Sequence, residues 1–309
     1  MNRTLWIIVV AAGLLAPYAI YPVFAMQLLC FALFACAFNL LLGYAGVLSF
    51  GHAAFFGGAA YIAGHVIKVW GWPPELGLLA GTAFAVVLGA IFGGLAIRRH
   101  GIYLAMVTLA LAQIIYFGAV KLPFTGGEDG LQGIPRGHLL GTLPLEKPLV
   151  MYYFIFAIFL FGFWLIYRTV HSPFGQVLKA IRENEPRAVS LGYKVERYKL
   201  MAFIISAGVA GMAGASKALV FQFAALTDVS WRMSGEVILM TLLGGMGTIL
   251  GPVVGAFTVV TLQHEFAAIG SWVTVAIGLT FIACVLLFRR GFVGELLNAL
   301  RKYRSAEAD

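Results

Sequence analysis

Stretches of about 20 apolar residues recur along this chain from residue 5 almost to residue 288, and no other feature restricts its fold as much. A helix needs roughly 20 such residues to cross the ~30 Å hydrocarbon core of a bilayer. Only 11% of the residues are charged and 61% are hydrophobic, against about 25% charged in an average soluble domain. The chain therefore reads as an all-α, polytopic integral membrane protein with a single transmembrane domain, 1–309. Apolar runs fall at about 5–22, 23–42, 47–67, 76–97, 101–120, 149–167, 200–223, 234–246, 249–268 and 271–288. They predict about 8–10 transmembrane helices: ten if every run crosses, eight if the glycine-rich pieces are re-entrant. The run at 234–246 is short for a span, and the one at 47–67 is rich enough in glycine to be broken. The first run follows a short basic start but lacks a small-x-small cleavage site before the next run, so it reads as an uncleaved first helix.

The formal net charge of +8 has to be read by location. Arg98, Arg99 and His100 form one basic turn, residues 168–199 hold a second cluster, and Arg289, Arg290, Arg301, Lys302 and Arg304 crowd the tail 289–309. Cytoplasmic loops collect Lys and Arg, so all three clusters are expected inside, with both termini cytoplasmic. The connection at 122–148 carries Arg136 and Lys147 against Glu128, Asp129 and Glu146 and is expected outside. On this reading the basicity reports topology and no nucleic-acid partner. Cys30, Cys36 and Cys284 lie in apolar runs without metal-ligand or redox spacing, so they read as packing residues.

Two glycine-rich segments interrupt the apolar pattern: GYAGVLSFGHAAFFGGAAYIAGHV at 43–66 and LLGGMGTILGPVVGAF at 242–257. Glycine costs a soluble helix roughly 1 kcal/mol relative to alanine, yet between membrane helices it lets backbones approach closely. Gly247, Gly251 and Gly255 have the spacing of one packing face, as do Gly57 and Tyr61. The second reading is discontinuous helices beside a translocation path, where unwound backbone is tolerated because protein or water covers it. Gly46, Ser49, Gly51, His52, Gly245, Gly247 and Gly251 are the candidate path residues. His52, Lys217, Glu236, His264 and Glu265 are the ionisable groups within apolar runs. Their plain readings are a histidine bonded to open backbone, a snorkelling lysine, and a His–Glu pair at the interface.

Residues 171–200, HSPFGQVLKAIRENEPRAVSLGYKVERYKL, predict a two-helix cytoplasmic hairpin. Ser172 is placed to cap a helix with Pro173 at its first position, and Phe174, Val177, Leu178 and Ile181 recur at the spacing of one face. Gln176, Lys179, Arg182 and Glu183 occupy the other. Asn184 or Glu185 caps a second helix opened by Pro186, and Gly192 ends it after about two turns. A solvated loop that only fixes orientation or meets anionic lipid would account for the charge. The caps and the small residues Ala188 and Ser190 go further, and suit docking into a groove on a partner protein.

NLLLGYAGVLSFGHAAFFGGAAY from Asn39, AIRENEPRAVSLGYKVERYKL from Ala180 and LLGGMGTILGPVVGAF from Leu242 resemble the membrane permease subunits of bacterial branched-chain amino acid ABC importers, over nearly the whole chain. The resemblance implies that 185–192 is the segment inserted into an ATPase subunit, with Arg182, Glu185, Pro186, Arg187, Ala188 and Gly192 as ATPase-coupling residues. The general Glu-Ala-Ala-x-x-x-Gly pattern of import permeases would match Ala188 and Gly192 but put its Glu at Pro186; here the acid is Glu185. It implies two ABC ATPase subunits, a second homologous permease or a second copy, a periplasmic solute-binding protein and surrounding membrane lipid as partners, in the bacterial inner membrane. No Gly-x-x-x-x-Gly-Lys-Ser/Thr occurs, and no Gly precedes a Lys anywhere. ATP is therefore expected on the partner subunits, with no cofactor in this chain. The rival reading is a proton- or ion-coupled secondary transporter of a small polar solute using His52, Glu236, His264 and Glu265. No His-Glu-x-x-His or Gly-x-Ser-x-Gly is present, so an enzyme, a metal site or a catalytic residue is not expected.

Overall fold

The computed structural model describes residues 10–266 except 12, 19, 140 and 142, together with separate positions between 275 and 295. The predicted first and last crossings are thus described only in part. Cys284, Arg289, Arg290, Arg301, Lys302 and Arg304 lie outside the described residues.

The described chain is helical almost throughout: α1 (Pro22–Asn39), a π-helical turn (Leu40–Tyr44), α2 (His52–Lys68), α3 (Pro74–Ala96), α4 (Ile102–Lys121), α5 (Pro148–His171), α6 (Pro173–Glu183), α7 (Glu185–Ser190), α8 (Val195–Phe221), α9 (Leu226–Val229), α10 (Trp231–Gly244) and α11 (Gly251–Phe266). Pro22, Pro74, Pro148 and Pro173 open four of them, where proline's missing N–H is not needed. The π turn lets α1 run on to Tyr44, and this helix with α3, α4, α5 and α8 is long and apolar enough to cross a membrane. The chain is an all-α polytopic membrane protein.

Contacts at the helix ends define two faces. On one, the loop face, Lys68 Nζ donates to Gln132 O at 2.7 Å, Arg136 Nη2 to Val220 O at 2.7 Å and Gln222 Nε2 to Ile134 O at 3.2 Å. There the short strands β1 (Leu131–Gln132) and β4 (Phe223–Ala224) pair antiparallel, while β2 (His138–Leu139) pairs with β3 (Leu143–Pro144). On the other, the hairpin face, Glu185 meets Lys199 at 2.7 Å and His100 at 3.7 Å. The basic turn at 98–100 and the hairpin α6–α7 therefore share a side, as their charge predicted.

In their most apolar 18-residue windows α1 and α8 are each 83% buried, against 28% for α4, so α1 and α8 form the centre and α4 the rim. Close approach depends on small residues. A Cβ on Gly81 of α3 would lie 2.6 Å from Ala59 O on α2 and 3.2 Å from the Ala215 side chain on α8.

The glycine-rich segments differ from the discontinuous-helix expectation. Residues 45–51 and 245–250 are turns between successive helices and not breaks inside one. Gly247 has φ +76°, so it does not share a helical face with Gly251 and Gly255. The close face is made by Gly244, Gly251 and Gly255, where α10 and α11 touch backbone to backbone. With 17 and 14 residues, α2 and α10 are only about 25 and 21 Å long, short of the ~30 Å hydrocarbon core. The connecting turns 45–51 and 245–250 are half-buried beneath the hairpin, with Gly46 and Met246 exposed.

Candidate functional site: the junction of two glycine turns and the hairpin

The first four N–H groups of a helix have no partner within it, and at the buried start of α2 water cannot serve them. Side chains from three places serve that start and the turn leading into it. Phe50 N donates to Thr108 Oγ1 of α4 at 3.1 Å, Gly51 N to Ser49 Oγ at 3.1 Å and Ala53 N to Ser234 Oγ of α10 at 3.0 Å. Ser49, predicted as a path residue, is buried and holds the turn with its hydroxyl. Thr248 does the same for the second turn, donating to Gly245 O at 2.8 Å and accepting from Gly251 N at 3.1 Å.

Asn39, the last residue of α1, ties the two turns together. Its Oδ1 accepts from Gly247 N at 2.9 Å and its Nδ2 donates to Thr248 O at 2.8 Å. The approach is so close that a Cβ on Gly43 would meet Asn39 Oδ1 and come within 2.7 Å of Gly247 N. No side chain larger than hydrogen fits.

The hairpin then closes over this junction. Ser172 Oγ accepts from Gly175 N to cap α6, Asn184 Oδ1 accepts from Arg187 N to cap α7, and Gly192 ends the second helix at φ +86°. Arg182 of α6 donates through Nη1 to Gly43 O. A Cβ on Gly46 would lie 3.0 Å from Arg182 Cγ, and one on Gly247 2.9 Å from Nη1. One side chain of the predicted coupling segment thus touches both predicted glycine segments. Lys179 lies 5.8 Å above the Tyr44 ring. On the polar side of α6, Lys179 and Arg182 thus lie against the junction.

The remaining hairpin residues separate into an inner and an outer set. Ala188 is buried with Ile181 and Val195 in a small core, so it does not present a docking surface as its size suggested. The outward apolar residues are Val189 and Leu191, 57% and 69% exposed, which the sequence reading passed over. Pro186 and Arg187 are also exposed, while Glu185 is held at the root by Lys199 and His100.

His52 lies behind the junction. Ser206 Oγ donates to Ala37 O at 2.6 Å, so its single proton is used and His52 Nε2, 2.9 Å away, is the donor to it. The ring is completely buried against Phe38, Phe55 and Phe203. It supports the α1–α2–α8 contact directly after the first glycine turn. Glu236 accepts from Gln263 Nε2 at 3.2 Å, and His264 packs edge-on to Phe24 at 4.8 Å.

A second polar cluster occupies the loop-face half. Lys217 does not snorkel: its Nζ donates to Asp228 Oδ2 at 2.5 Å, and the two side chains are 12% and 2% exposed. Asp228 also accepts from Ala225 N at 3.3 Å, and Gly57 of α2 leaves the room for its backbone. Asn39 and Asp228 were both missed in the sequence. The available signal was the same for each, a polar residue in or beside an apolar run.

The family described as "Branched-chain amino acid transport system / permease component" matches residues 22–289. The high-affinity branched-chain amino acid transport system permease protein LivM of Escherichia coli (strain K12) is 28% identical, the match covering 73% of this chain and 59% of LivM. LivM of Salmonella typhimurium is 27% identical over the same shares. The autoinducer 2 import system permease protein LsrC of Klebsiella pneumoniae is 27% identical, covering 71% of this chain and 63% of LsrC. The match therefore spans about three fifths of the length of these relatives. No solved structure matches the chain.

Proposed function

The chain belongs to the branched-chain amino acid transport permease family, a family of transport components and not of enzymes, and from that premise we propose that it is the membrane-spanning permease subunit of an ABC importer. It passes branched-chain or related amino acids inward across the bacterial inner membrane. The substrate class is supported by the family description and by the names of the LivM relatives. The relatives named for autoinducer 2 import mark how far the same scaffold extends to other solutes.

The observation that carries this reading is Arg182. It belongs to the hairpin yet donates to Gly43 O in one turn and abuts Gly247 in the other. A partner that moves the hairpin moves this guanidinium. The junction it leaves is held by neutral amide bonds worth only about 0.5–1.5 kcal/mol each, so the helix pairs α1–α2 and α10–α11 can shift against each other. Two ATPase subunits gripping the hairpin, a second permease or second copy beside this one and a periplasmic binding protein delivering solute complete the assembly. Val189 and Leu191 at the hairpin tip offer the ATPase an apolar contact, flanked by exposed Arg187.

Uptake and ATP hydrolysis measured together in vesicles holding the complete transporter test this. Arg182→Ala is expected to keep ATP hydrolysis while uptake falls at least ~10-fold, within the usual 1–3 kcal/mol of coupling between sites. Unchanged uptake per ATP in that variant refutes the transmission route. Uptake that needs a proton gradient and no ATPase refutes the importer itself.

A further inference from the structure

Between α4 and the bend from α9 into α10, Gln113, Tyr116, Thr227, Ser230, Trp231 and Arg232 line a cleft of about 380 Å³. That volume lies within the ~300–1,000 Å³ of small-molecule sites. Gln113 stands eight residues before the end of α4, about 12 Å below it at 1.5 Å per residue. The cleft therefore reaches well into the thickness of the bundle.

Its polar groups are unspent. Among the described residues Arg232 makes no ion pair, and the side chains of Gln113, Tyr116 and Thr227 make no hydrogen bond. Unpaired polar groups at this depth are costly against hydrocarbon and are tolerated where water or protein covers them. Beneath the cleft Asp228 is neutralised by Lys217, so the uncompensated charge facing the opening is the Arg232 guanidinium. A planar cation with amide and hydroxyl groups around it binds a carboxylate well. Leu226 and the exposed Trp231 add an apolar wall. A small solute with a carboxylate at one end and an apolar group at the other matches this lining.

Resting on the import reading above, we propose that this cleft is a transit subsite for amino acids, in which Arg232 receives the carboxylate and Gln113, Tyr116 and Thr227 bond to the ammonium group. Arg232 stands two residues before Ser234 and Gln113 five residues after Thr108, the side chains that hold the start of α2, so the cleft adjoins the first glycine turn. Solute would occupy it before the junction opens.

Thr227 is exposed, so Thr227→Cys supplies a reporter thiol in the complete transporter. Small anionic and cationic methanethiosulfonates are compared, in vesicles, with leucine or leucinamide as competitor. The chain without the added thiol is the control. The anionic reagent is expected to react about tenfold faster than the cationic one, the factor that one charge-assisted bond supplies. Leucine is expected to protect the thiol while leucinamide, which lacks the carboxylate, does not; Arg232→Gln removes both preferences and Arg232→Lys keeps part of them. Equal rates for the two reagents whether Arg232 or Gln is present overturn the proposal. So does a thiol that no water-soluble reagent reaches, because lipid then fills the cleft. A transporter that shows no ATP-driven uptake while leucine still protects the thiol supports the subsite and refutes the importer.

Discussion

On the hairpin face the turns at 45–51 and 245–250 are held by an asparagine amide and an arginine laid against backbone, whereas on the loop face the bend at 222–230 is held by a lysine–aspartate pair. Both arrangements satisfy polar groups that water cannot reach, but they differ in what it takes to undo them. The amide bonds of the junction are individually weak and can be exchanged for others of the same kind. Separating Lys217 from Asp228 leaves a carboxylate that is 2% exposed without its counter-charge, which costs about 3–5 kcal/mol. The pair at the loop-face bend is thus costlier to open than the amide bonds between the two glycine turns.

The largest test of that contrast is Lys217→Ala, expected to lower stability by about 3–5 kcal/mol by stranding Asp228. Thermal aggregation of the detergent-solubilised protein measures it. Replacing both partners, Lys217→Met with Asp228→Leu, is expected to recover most of the loss, because an apolar pair of similar shape removes the stranded charge. A double variant as unstable as the single one would show that the pair does more than neutralise itself. Next comes Asn39→Leu, which leaves Gly247 N and Thr248 O unpaired and is expected to cost about 1–3 kcal/mol. Uptake per ATP should fall further than stability accounts for. A loss of stability equal to that of Lys217→Ala would erase the contrast between the faces. The smallest effect is expected from Ser206→Ala, toward the lower end of about 1–3 kcal/mol, for the bond to Ala37 O and the bond from His52 Nε2 that the hydroxyl makes. Faster amide exchange confined to the first turn of α2 would register it, and would sharpen the assignment of His52 to packing.

Much of this architecture was legible because the bilayer imposes a length. Runs near 76–97, 101–120 and 149–167 became α3, α4 and α5 with only small changes at their ends. The hairpin was legible for another reason: Ser172, Pro173, Asn184 and Gly192 are local signals, and each does locally what its chemistry suggests. The glycine segments were found but misplaced, since composition does not say whether a glycine run interrupts a helix or joins two. Ala188 was put on the wrong side because a helix of six residues, too short to show a periodicity, has no face that spacing can identify. Lys217 was noticed and its partner was not. Asp228 lies beyond the end of α8, in a bend whose return path no periodicity encodes.

Glu185 stands where two routes divide. Through its own helix it is continuous with α6 and hence with Arg182; through His100, 3.7 Å away, it borders the residue pair that leads directly into α4. Gln113 and Tyr116 are on α4. Any load that a partner places on the hairpin root would therefore divide between the turns beneath Arg182 and the start of the outermost helix, so the rim of the bundle and its glycine turns share one point of attachment.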